Sequence, residues 1–184
     1  MANGMRKYEE PEQKDLPKLC REASAGDGRA ACALHRYAEK HGQRAAWLVP
    51  ILRQLLSNTE TADSAAFALE AIGSAAREAV PELIQAMRRD PENYVSEPYL
   101  YALNAIGPEA REAIPALVEV LIEGWSGETE RRVAAEMLGN FGPEAQAAVS
   151  ALEEAHKDDP DKDVRAAALE ALKKITGRGP TEIR

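Results

Sequence analysis

Apolar residues recur at helical spacing in runs such as "DSAAFALEAIG", "YLYALNAIG" and "DVRAAALEALKKIT", each closed by a glycine or a threonine. A second stripe follows each glycine: Val80, Leu83 and Met87 after Gly73, and Ile114, Leu117 and Leu121 after Gly107. The spacing predicts two helices per unit, with the glycine ending the first in a left-handed cap. Eight residues after Gly42, Gly73, Gly107 and Gly142 stand Pro50, Pro81, Pro115 and Ser150. Proline lacks an amide donor and biases its predecessor away from helix, so a kink is expected there, or a short helical turn leading into the main helix. Pro98 in "NYVSEPYLYALNAIG" predicts a late helix start, with Tyr94 left on a longer loop.

The pattern is a repeat. Ala68–Met87 and Ala102–Leu121 are identical at eleven of twenty positions. The closing glycines are 31, 34 and 35 residues apart, and Thr176 takes the same place 34 residues after Gly142 in a truncated last copy. A fixed period in the low thirties predicts stacked supersecondary units, none of which can bury its apolar stripe alone. The predicted fold is all-α: a right-handed α-solenoid of antiparallel helix pairs. Residues 1–14 read as a flexible polar N-terminus. Residues 15–176 read as one array, capped by a leading helix over "KDLPKLCREASAGD", and 177–184 as a flexible tail.

The units "ALEAIGSAAREAVPEL", "ALNAIGPEAREAIPAL" and "MLGNFGPEAQAAVSAL", with "DPDKDVRAAALEALKKI" as the closing copy, resemble HEAT repeats. The closer resemblance is to the short bacterial HEAT-like units also found in phycobilin lyase subunits. It spans roughly residues 29–176 and implies a scaffold that binds partners on its concave inner face. It also implies an alternative: an accessory subunit of a lyase or other enzyme, holding a chromophore or its acceptor protein.

Composition sharpens the reading. Ala and Leu dominate an apolar share of 45%, with only 5% aromatic residues, which suits closely packed helices better than a sheet. The net charge of −8 is uneven, near +2 over residues 1–60 and −10 over 61–184. That acidity disfavours nucleic acid as a partner. No apolar run approaches a membrane span, and two cysteines, Cys20 and Cys32, make no disulfide framework. The expected setting is cytoplasmic.

Catalytic signals are weak. Cys32 and His35 share a helical face, yet two ligands without a third point to packing rather than a metal. The metal pair of deoxyhypusine hydroxylase, a HEAT-like enzyme, uses His-Glu dipeptides, whereas His35, His41 and His156 precede Arg, Gly and Lys. No phosphate loop or nucleophile elbow appears. The expectation is a protein without catalytic, cofactor or metal residues, with another protein or peptide as partner; its oligomeric state stays open between a monomer, which is favoured, and end-to-end association through the truncated last unit.

Register nominates the contact residues. Positions one, four and seven or eight after each proline should face the groove, giving Ile51, Gln54 and Ser57, then Glu82, Gln85, Arg88 and Arg89. Next come Ala116, Glu119 and Glu123, and finally Ala151, Glu154 and Lys157. The short turn before each proline adds Trp47, Arg77, Glu78, Arg111 and Glu112, and the loop "EGWSGETERR" adds Trp125. Trp47 and Ile51 share a helical face and form either an aromatic anchor or the seat of the capping helix. Arg88 and Arg89 either meet a partner's carboxylates or cap their own helix.

Overall fold

The computed structural model describes residues 14–89, 97–122 and 127–177. Among them every regular element is helical: α1 (Leu16–Ser24), α2 (Gly28–His41), α3 (Val49–Leu55), α4 (Ala62–Ile72), α5 (Val80–Met87), α6 (Glu97–Ile106), α7 (Ile114–Ile122), α8 (Glu128–Asn140), α9 (Val149–Asp158) and α10 (Lys162–Thr176). Even-numbered helices form one row, α4 packing on α2 and α6, and α10 on α8. Odd-numbered helices from α3 to α9 form the second row, and α1 covers α2 and α3. This is an all-α solenoid.

The proline sits where its chemistry allows. In each of the first four units a 3-10 helix runs from the glycine to the residue before the second helix, as in Gly73–Ala79, and Pro81 then occupies the first turn of α5. Of the two expected outcomes the structure takes the second, a short turn leading into the main helix. There the missing amide donor has no intrahelical partner to lose. Pro98 likewise lies in the first turn of α6, with Tyr99 buried beside it, while Tyr94 lies outside the described residues.

The glycine cap differs from expectation. Gly42 and Gly73 have φ 53°, ψ −132° and φ 68°, ψ −140°. Their φ is positive, but ψ is far from the left-handed helical value, in a region open in practice to glycine alone. This geometry turns the chain directly into the 3-10 helix. A true left-handed cap occurs at Gly177, φ 68° and ψ 7°, one residue past Thr176. The last copy therefore keeps its closing glycine, one position later than the alignment placed it.

Small residues set the spacing of the first row. Ala62, Ala65, Ala66 and Ala68 of α4 are buried between neighbours. The tightest approach is α8 on α10, where a Cβ on Gly139 would lie 2.8 Å from Ala171 Cα and 3.0 Å from its Cβ. We expect Gly139→Ala to destabilise the protein by about 1–3 kcal/mol through forced separation of two backbones. Helix propensity alone would make the same change stabilising by about 1 kcal/mol. The sign of the shift in urea midpoint decides between them. By contrast α6 and α8 touch only sparsely. Met137 of α8 stands where α4, α6 and α10 carry Ala68, Ala102 and Ala171, and with Phe141 it borders a cleft of about 140 Å³ against Leu103 and Asn104.

Candidate functional site

Charged side chains of the second row tie consecutive units together. Arg53 of α3 donates to Glu82 Oε1 of α5 at 2.6 Å and lies 3.9 Å from Glu78. Arg88 Nε and Nη2 grip both oxygens of Glu119 at 2.9 and 2.7 Å. Arg111 Nη1 meets Glu144 Oε1 at 3.3 Å. Arg89 Nη2 reaches back 2.7 Å to the Leu56 carbonyl, just past the end of α3. The hydrogen bond from Arg53 holds the Glu82 carboxyl below its ordinary pKa, and the same bond raises that of Arg53.

These contacts revise the roles read from sequence. Arg88 and Arg89 do not cap their own helix. One pairs with the next unit, and the other caps the helix of the preceding unit. Ala116, expected in the groove, is buried, because α7 packs against the 3-10 helix Gly142–Ala148 of the next unit. Ile51 is half-buried against the core. Gln54, Gln85 and Glu154 are exposed. Trp47 is 52% exposed, its ring centroid 6.2 Å from that of Tyr37 in an edge-to-face arrangement, so α1 does not cover it. Glu123 and Trp125 lie outside the described residues.

A groove of about 670 Å³ opens across the first three units. It gathers four nominated residues, Arg77, Glu78, Arg111 and Glu112, around Val80, Pro81 and Pro108. It leaves Trp47, Gln54, Gln85, Arg88, Glu119 and Glu154 outside its lining. Sequence reasoning missed Arg53 and Glu109, which complete the groove. The signal for Glu109 was present, since Glu144 repeats it six residues before Ser150, as Glu109 stands six before Pro115.

The Cys32–His35 face serves packing contacts. The His35 ring stacks on Phe67 at 5.4 Å and its Nε2 lies 3.5 Å from Glu39, while Cys32 Sγ accepts from Arg36 Nη1 at 3.6 Å. Burial raises the pKa of nearby Glu70. Among the described residues no three His, Cys, Asp or Glu side chains converge as metal ligands, and no helix is long and apolar enough to cross a membrane.

Stacked helix pairs with an open, charge-lined groove along the second row define a helical-repeat architecture. Residues 114–183 match HEAT repeats, and residues 62–89 match the PBS lyase HEAT-like repeat. Over those residues the chain carries HEAT-like repeats. No curated protein and no solved structure matches it significantly.

Proposed function

We propose that this chain is a non-catalytic scaffold that holds another protein or peptide along its inner face. The observation that carries the reading is one exposed row crossing the units. Trp47, Glu78 and Glu112 each stand three residues before the unit's proline, beside Arg77 and Arg111, and the two later positions of that row border the 670 Å³ groove. Exposed aromatic and arginine side chains are the types enriched at binding hot spots. Two unpaired thiols, Cys20 and Cys32, suit a reducing, cytoplasmic compartment.

A photo-crosslinking residue at position 78 or 112 should form adducts with one protein in cells. The same residue at position 136 or 170, exposed on the first row, should not. Equal adducts from both rows, or none from the groove, would remove this reading.

The match of residues 62–89 to the PBS lyase HEAT-like repeat favours a second reading, an accessory subunit that holds a chromophore or its acceptor. A visible absorption band that co-elutes with the protein after incubation with a linear tetrapyrrole would select it. Colourless protein would not.

A further inference from the structure

Each of the first three unit boundaries of the second row is tied by an ion pair of the array itself. The boundary between the first two units uses Arg53 and Glu82, the next uses Arg88 and Glu119, and the third uses Arg111 and Glu144. Three exposed charges of the groove are left over. Arg77, Glu109 and Glu112 have no hydrogen-bond or ion-pair partner among the described residues. The repeat makes the omission plain. Arg77 stands four before Pro81 as Arg111 stands four before Pro115, and Glu109 is the register equivalent of Glu144. The rung that closes as Arg111–Glu144 stays open as Arg77 and Glu109, and the groove fills the gap.

We infer that the groove accepts an extended peptide segment carrying one carboxylate and one cation two residues apart, the carboxylate on Arg77 and the cation between Glu109 and Glu112. The inference rests on the scaffold reading above and names the chemistry of its partner. The apolar floor of Val80, Pro81 and Pro108 suits a peptide main chain. Alternate residues of an extended segment point the same way, about 6.6–6.8 Å apart, so both charges face the groove together. The two carboxylates repel the phosphates of nucleic acid, whereas a dipolar segment answers all three leftover groups. Rim charges of this kind steer association and set its salt dependence.

The test uses blocked octapeptides of otherwise identical sequence bearing Glu-Ala-Lys, Lys-Ala-Glu, Glu-Ala-Glu or Lys-Ala-Lys, titrated into the full chain and followed by amide chemical shifts. One dipolar peptide should saturate shifts over residues 76–80 and 109–113 and bind about three- to tenfold tighter than either like-charged peptide. Its affinity should fall when salt is raised from 0.1 to 0.5 M. Arg77→Glu should reverse the ranking, so that the Lys-Ala-Lys peptide binds best, and Glu109→Gln with Glu112→Gln should favour the Glu-Ala-Glu peptide. Arg77 is exposed, and unchanged circular dichroism would establish that each variant folds.

Shifts outside the groove, no saturation with any peptide, or a ranking indifferent to Arg77→Glu would overturn the inference. Crosslinking of a cellular protein to the groove alongside a failed peptide ranking would remove this inference alone. Correct ranking without any crosslink would remove the scaffold reading instead.

Discussion

Leu117→Ala is expected to lower the unfolding free energy by about 2–5 kcal/mol. Leu117 is fully buried on α7, in the middle of the second row, and α7 packs against α8, α9 and the 3-10 helices on either side. Truncation removes apolar burial and leaves a cavity that helices fixed on several sides cannot close. Stability in a stacked array is a sum of unit and neighbour-interface contributions, so damage at a central unit weakens both of its boundaries. For a chain of this size the change corresponds to a fall in Tm of at least about 4 °C. Ile122→Ala on the same helix is the control: its side chain is 56% exposed, and its removal should cost no more than about 0.5 kcal/mol. Thermal unfolding of the pair side by side checks both values. Equal effects would mean that α7 is not clamped as described.

Asp159→Ala is expected to cost about 3–5 kcal/mol, because it strips a largely buried guanidinium of its carboxylate. Arg131 of α8 and Asp159, at the junction of α9 and α10, have side chains only 13% and 6% exposed. They meet through two bonds of 2.8 and 3.1 Å. Asp159 also accepts the Asp161 amide at 2.9 Å, and its carbonyl accepts from Arg165 at 2.7 Å. Burial alone would raise the Asp159 pKa. The Arg131 hydrogen bond, the Asp161 amide and the Arg131 and Arg165 charges outweigh it and hold the carboxyl below its ordinary value.

The pH consequence follows from that direction. A depressed folded-state pKa contributes stability that is present above the unfolded value, about 3.9, and is lost as pH falls through the lower folded value. Urea titrations from pH 7 to pH 3 should show this acid limb in the parent protein and a shallower one in Asp159→Ala. The lowered Glu82 carboxyl accounts for part of what remains. An acid limb of unchanged depth would show that the pair titrates as it does in the unfolded chain.

The array was legible because its information is local and repeated. Glycine, proline and leucine at fixed offsets specify the turn, the helix start and the buried stripe without any long-range knowledge. Gly139 is the intermediate case. An isolated glycine inside a helical pattern announces a close approach, but only the stacking shows that the approaching backbone belongs to Ala171. The groove was half legible. Register placed Arg77, Glu78, Arg111 and Glu112 on the exposed side, yet it has no means of telling which outward charges meet a neighbour, since that depends on the offset between units. Arg88 and Glu119 look as available as Arg77 does until the units are stacked. The Arg131–Asp159 pair gave no signal at all, because "ETERRV" and "KDDPDKD" both read as solvated surface.

The three ionic rungs of the second row each draw on different register positions. Arg53 is three past its proline and meets a residue one past the next; Arg88 is seven past and meets one four past; Arg111 is four before and meets one six before. Near-copies of one sentence are thereby made non-interchangeable. A nascent chain that docked its first unit on the third would set Arg53 against Ala116 instead of Glu82. Within one chain the offsets thus set each rung against a neighbour one unit away and leave it unmatched when a unit is skipped.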